Sequence, residues 1–113
     1  MPTERILVID DNDPLRLETA KTLADAGYVV ESAATAGDAV ALAKRFPFDL
    51  VIADIYLPDE NGIEMFRRIR KIHPEIAGIA ITGYSSWQVS MEAIRAGFAV
   101  FLVKPFPTEQ LIS

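Results

Sequence analysis

Short, wholly apolar runs alternate along this chain with longer stretches in which apolar residues recur every three or four positions. Ile6-Leu7-Val8-Ile9 is apolar throughout and mostly β-branched, the pattern of a strand covered on both faces of a parallel sheet. Asn12 or Asp13 ahead of Pro14 predicts a helix start, since proline suits the first helical turn. Leu15, Thr19, Thr22, Leu23 and Ala26 continue at helical spacing, and Gly27 predicts a left-handed stop. Tyr28 to Glu31 reads as a second strand. Thr35 and Asp38 have capping-box spacing with Asp in place of Glu, opening a helix to about Arg45 that Pro47 stops.

Leu50 to Ala53 forms the third predicted strand and delivers Asp54 at its end. The loop Ile55 to Asn61 carries turn signals at Leu57-Pro58 and Asn61-Gly62. Ile63, Phe66, Ile69 and Ile72 make a helical stripe that ends near His73-Pro74. Gly78 to Ile81 predicts a fourth strand, ending at Thr82. Ser85 or Ser86 caps a helix to Ala96, closed by Gly97, and Val100 to Val103 predicts a fifth strand ending at Lys104-Pro105. Such alternation defines an α/β fold built on a parallel sheet. A further helix opens at Thr108 but has only about one and a half turns before Ser113, at ~3.6 residues per turn. Residues 1–113 are therefore expected to form one domain with a truncated last helix, part of a longer chain.

The bulk properties narrow the chemistry. A chain of 113 residues, half apolar and 24% charged, suits one globular domain with a single core. Without cysteine it has no disulfide, thiolate metal site or thiol nucleophile. The apolar run after the polar start MPTER is too short for a signal sequence or membrane span, so a cytoplasmic location is expected, with no membrane partner. A net charge of −5 argues against direct nucleic-acid binding.

In open parallel sheets, sites form outside the carboxyl ends of the strands. Asp10 and Asp11, Asp54, Thr82 and Lys104 follow the first, third, fourth and fifth predicted strands, so three carboxylates, a hydroxyl and an ammonium share one rim. Acids so crowded must protonate, stay hydrated or hold a cation. Mg²⁺ suits such a set, because it takes one or two carboxylates, waters and a phosphate oxygen. A carboxylate beside it can attack phosphorus and form an aspartyl phosphate. Taken singly, Asp10 and Asp11 are also good helix-capping acids, His73 is an ordinary helix-end residue, and Arg67, Arg68, Arg70 and Lys71 read as a solvated helix face.

Val8-Ile9-Asp10-Asp11, Asp54-Ile55-Tyr56-Leu57-Pro58 with Asn61-Gly62, Thr82-Gly83 and Lys104-Pro105-Phe106 together resemble the response-regulator receiver family of two-component signalling, from about Arg5 to Leu111. The resemblance implies a three-layer, doubly wound, flavodoxin-like fold with a five-stranded sheet of order 2-1-3-4-5. It implies that Asp54 accepts a phosphoryl group from a sensor histidine kinase or phosphotransfer protein. The chain is then a signalling phosphoacceptor, catalysing only its own phosphorylation and dephosphorylation. Asp10, Asp11, Asp54 and the Tyr56 carbonyl are implied Mg²⁺ ligands, and Lys104, before a cis peptide to Pro105, the phosphoryl contact. Thr82 and Phe101 are the implied switch pair, and the fourth helix, fifth strand and fifth helix the responding face. An output domain beyond residue 113 and a homodimer are the further partners implied.

Some positions depart from the family pattern. Phe101 replaces a common tyrosine, so coupling by packing is expected. Tyr56 and Tyr84, two residues after Asp54 and Thr82, are large enough to obstruct an in-line water, and slow self-dephosphorylation is expected. Phe98-Ala99-Val100, with Trp87 and Phe106, reads either as an apolar partner surface or, for Phe98 and Trp87, as core. Pro107 cannot cap the last helix by side chain, so Thr108 is expected to. Three rival functions draw on the same residues. Asp11-Asn12-Asp13 has the Asp-x-Asp of metal-dependent aspartate-nucleophile phosphatases, which need more chain and a cap region. A flavodoxin-type flavin carrier needs hydroxyls and amides where the first loop is acidic. A phosphorylation-independent interaction module would share the fold.

Overall fold

The computed structural model describes residues 4–83 and 87–103, with the side chains of Trp87, Phe101 and Val103 left aside. In chain order the elements are β1 (Arg5–Ile9), α1 (Asp13–Asp25), β2 (Val29–Ala33), α2 (Ala36–Arg45), β3 (Leu50–Asp54), α3 (Gly62–Ile72), β4 (Ala77–Thr82), α4 (Trp87–Ala96) and β5 (Val100–Val103). The strands are parallel and ordered β2-β1-β3-β4-β5. The order reverses direction at β1, whose neighbours are β2 and β3, and that reversal opens a crevice at the carboxyl ends. The expectations at Tyr84, Ser85, Ser86, Lys104, Pro105, Phe106, Pro107 and Thr108 lie outside the described residues.

Alternation along the central strands divides the core between the two faces. Leu7, Ile9, Val51 and Ala53 point to one side, where α2, α3 and α4 bring Ala39, Ala43, Met65, Phe66, Ile69 and Ala93. Ile6, Val8, Ile52 and Ile81 point to the other and pack against Leu23 of α1. α1 buries only Thr19 and Leu23, and Ala26, which its spacing placed inward, is exposed where the helix has already unwound toward Gly27. Gly27 itself turns the chain at φ 104°.

Some local expectations need correction. The second strand covers Val29–Ala33 rather than Tyr28–Glu31, because it pairs with all five residues of β1 and runs level with Ile9. Arg70 is not part of a freely solvated face: it reaches across to α4 and donates to the Ala96 carbonyl at 3.1 Å. The Phe98–Val100 run does not form one surface. Phe98 is 3% exposed and stacks on Phe66 at 4.1 Å between ring centres, while Val100 stays exposed. Gly78 makes room for that pair, since a Cβ there would lie 2.5 Å from the Phe66 ring. His73 ties the end of α3 to that of α2, with Nε2 2.7 Å from the Ala43 carbonyl. No described helix is long and apolar enough to cross a membrane.

Candidate metal centre

The ends of β1, β3 and β4 carry the described residues of this rim. β1 ends at Ile9, and the Asp10 amide continues the ladder by donating to the Ala33 carbonyl at 3.1 Å. The chain then turns sharply into α1. Asn12 caps that helix, its Oδ1 accepting from Leu15 N at 3.1 Å, and Pro14 sits in the first turn. The Asn12 amide donates to Asp10 Oδ1 at 2.9 Å, which sets the orientation of that buried carboxylate. Asp11, one residue on, is exposed.

β3 presents Asp54, 5% exposed, whose Oδ1 accepts from Tyr56 N at 2.9 Å. α3 begins close behind it. Gly62 N donates to the Ile55 carbonyl at 2.6 Å, and Asn61 caps the helix through Ile63 N. A Cβ on Gly62 would come within 2.2 Å of the Asp54 carbonyl, so only glycine permits this approach. On β4, Thr82 is fully buried and registered with Val103, the residue that precedes Lys104 in sequence.

The structure thus brings Asp10, Asp11 and Asp54 together, with one carboxylate oxygen of each within 4.8 Å of the others. Three hard oxygen donors at that spacing fit a divalent cation such as Mg²⁺ or Ca²⁺, which both prefer carboxylates and carbonyls. Thr82 stands two strands away from β1 on the same rim, and Tyr56, two residues after Asp54, is 47% exposed. Lys104 and the Phe101 side chain lie outside what the structure describes.

Two residues that the sequence pattern did not single out support this rim. Arg16 donates to the Asp10 carbonyl at 3.0 Å and to Asp13 Oδ1 at 2.6 Å, placing a guanidinium beneath the acids. The Asp13-x-x-Arg16 spacing on one helix face was the available signal. Asp59 reaches from the β3–α3 loop to the amides of Ala36 and Gly37, both at 2.9 Å. Those bonds hold its carboxyl below the usual carboxylate range. No local spacing announces a contact across more than twenty residues.

A doubly wound α/β domain with a cluster of three acids at its switch point, spaced to suit a cation, is the class that fold and site define. The particular family follows from comparison: the model of the response regulator receiver domain matches residues 6–113, and the chain belongs to that family. The C4-dicarboxylate transport transcriptional regulatory protein DctD of Rhizobium meliloti is 34% identical over 107 residues, 95% of this chain and 23% of that protein. The crystal structure of a CheY-like receiver domain protein from Methanospirillum hungatei superposes with a TM-score of 0.93 at 35% identity, covering 98% of this chain and 89% of that one. A Burkholderia pseudomallei response regulator, solved with a phosphorylated aspartic acid, calcium ion and citrate, gives a TM-score of 0.90 at 28% identity, over 96% and 64% of the two chains. This chain spans 23% to 49% of the length of the first curated relatives it matches.

Proposed function

We propose that Asp54 is the phosphoacceptor of this receiver domain, in a reaction that depends on Mg²⁺. The observation carrying this reading is the convergence of Asp10, Asp11 and Asp54 on one point at the strand ends. A carboxylate oxygen of Asp54 attacks the phosphorus of a phosphohistidine on a histidine kinase or phosphotransfer protein. The phosphorus–nitrogen bond breaks, the donor histidine leaves, and Asp54 holds an acyl phosphate. The Tyr56 amide on Asp54 Oδ1 orients the nucleophile. Asp10, Asp11, Asp54 and the Tyr56 carbonyl are the proposed metal ligands, and Mg²⁺ there supplies charge neutralisation for the transferring group. Lys104 adds a second positive charge, and Thr82 turns its hydroxyl to a phosphoryl oxygen. Tyr56 and Tyr84 flank the approach of water, which slows loss of the phosphoryl group.

The same proposal covers the response. Phosphorylation shifts a two-state balance through its new contacts to Thr82 and Lys104, and Phe101 follows Thr82 inward. The readout is the face of α4, β5 and the helix proposed to start at Thr108. Met91, Ile94 and Val100 are exposed on α4 and β5 and support an apolar contact there. An output domain in a longer cytoplasmic protein, or a second copy, docks on that face. This domain itself makes no direct nucleic-acid contact, in keeping with its net charge of −5.

Incubation with acetyl phosphate and Mg²⁺, read by intact mass, tests the core of the proposal. Wild type gains one phosphoryl group, and neither Asp54→Ala nor wild type in EDTA does. A phosphorylated Asp54→Ala variant would assign the nucleophile elsewhere, and steady hydrolysis of a phosphate ester would instead support a phosphatase.

A further inference from the structure

The loop that carries Tyr56 is closed at its neck and anchored at its tip by different means. At the neck, Gly62 N bonds the Ile55 carbonyl, and Tyr56 and Asn61 form an antiparallel bridge. At the tip, Leu57 is half-buried against the core and Pro58 is exposed. Asp59, also exposed, directs each carboxylate oxygen at a separate amide in the first turn of α2: Oδ1 accepts from Ala36 and Oδ2 from Gly37. An exposed side chain is seldom held at two points.

The anchoring post is packed into the core. α2 buries Ala36, Ala39 and Ala43 against the sheet. Its first amides lack partners inside the helix, and its amino end carries partial positive charge. Thr35 Oγ1 accepts from Asp38 N, so the cap residue serves the third amide and Asp59 the first two. The two elements so joined lie on the same side of the sheet, and one of them carries Tyr56 three residues before Asp59.

We propose that Asp59 is a positioning residue: by clasping the first turn of α2 it fixes the β3–α3 loop and holds the Tyr56 carbonyl where cation binding requires it. The proposal rests on the reading of this rim as a Mg²⁺-dependent phosphoacceptor site. Asp59 touches neither metal nor phosphoryl group and acts through the loop. The competing account is that Asp59 merely caps α2. A cap raises stability yet leaves metal affinity alone.

Calorimetric titration of Mg²⁺ into four proteins separates these accounts: wild type, Asp59→Ala, Asp59→Asn and Gly37→Pro. The last deletes one clasp donor while keeping the Asp59 charge, and proline is tolerated in a first helical turn. Its Cβ has room, 3.5 Å from Asp59 Oδ2, but its Cδ takes the place of the hydrogen aimed at that oxygen, so the carboxylate is pushed off α2 with its charge intact. Asp59→Ala is expected to weaken Mg²⁺ binding about tenfold, as loss of supporting contacts around metal ligands commonly does. Asp59→Asn, which keeps one acceptor oxygen, falls between, and Gly37→Pro weakens binding as well. Hydrogen exchange speeds up at Tyr56–Asn61 in all three variants. Unchanged affinity in a folded Asp59→Ala overturns the proposal in favour of a simple cap. Equal weakening in both Asp59 variants with wild-type affinity in Gly37→Pro overturns it in favour of charge alone. If Gly37→Pro does not fold, an Asp59→Asn affinity equal to that of Asp59→Ala overturns it too. Failure of wild type to bind Mg²⁺ or gain phosphoryl mass refutes the phosphoacceptor reading instead, which is a separate outcome.

Discussion

Replacing Asp10 by asparagine is expected to stabilise the metal-free domain while removing most of its response to Mg²⁺. The ligand oxygens of Asp10, Asp11 and Asp54 lie within 4.8 Å of one another. At that distance and an effective dielectric of ~20, each charged pair repels by ~3.5 kcal/mol. The Asp10–Asp11 pair is adjacent in sequence and persists in the unfolded chain, so folding adds mainly the Asp10–Asp54 pair. Water at the exposed Asp11 side and the loss of charge on the Asn12 bond both reduce the gain. Asparagine keeps an Oδ1 to accept that bond. A net gain of ~1 kcal/mol remains, which raises the melting temperature by about 4 °C in a domain of this size. Wild type should gain ~2.7 kcal/mol from Mg²⁺ at about a hundred times its dissociation constant. Differential scanning calorimetry in EDTA and in Mg²⁺ reads both effects. A variant that melts below wild type in EDTA, or gains as much from Mg²⁺, refutes the account of this cluster as a repulsive, cation-dependent site.

Other substitutions test the scaffold around the acids. Gly62→Ala pushes a methyl group to within 2.2 Å of the Asp54 carbonyl, so α3 must retreat; a loss of ~1–3 kcal/mol is expected, with slower acetyl-phosphate labelling. An alanine variant that melts and labels like wild type would show that the close approach is dispensable. Phe98→Ala removes a buried ring stacked on Phe66 and should cost ~3–5 kcal/mol in urea unfolding; a change under ~1 kcal/mol would return Phe98 to the surface. Asp59 has a folded-state carboxyl pKa below its unfolded value, so its contribution is full above the unfolded pKa and disappears as pH falls through the folded one. The stability difference between wild type and Asp59→Ala should therefore shrink as the pH is taken from neutral to below about 4, the ordinary value of a free aspartate. A difference that stays constant across that range would mean the clasp does not depend on charge.

Much of this architecture was legible because the central strands are covered on both faces. Ile6–Ile9 and Leu50–Ala53 then read as unbroken apolar runs, and the residue after each must sit on a rim. Caps were legible for a related reason: Asn12 and Thr35 satisfy amides three residues on, a range over which sequence spacing is geometry, whereas Asn61 read only as a turn signal and is the cap of α3. Legibility failed where partners are distant. The length of β2 depends on how far β1 runs beside it, which Tyr28–Glu31 does not encode. The role of Phe98 depended on Gly78, twenty residues earlier, leaving space for its ring beside Phe66. Arg70 was assigned to solvent from its neighbours on α3, whereas its partner is the end of α4.

The same division holds within the site. Asp10, Asp11 and Asp54 are brought together by strand ends, and a parallel sheet puts strand ends on one rim whatever the loops do. Tyr56 is different. Its place depends on a loop, and loops are positioned by contacts that the local sequence does not specify. Here those contacts are Gly62 at the neck and Asp59 at the tip, reaching Ile55 just past β3 and the first turn of α2 respectively. The acids at the strand ends are accordingly robust to loop substitutions, whereas the Tyr56 carbonyl, in its proposed role as a metal ligand, is not. Under the proposed clasp, variation at Asp59 or Gly37 tunes cation affinity without altering any acid of the cluster, a form of adjustment invisible to a motif search.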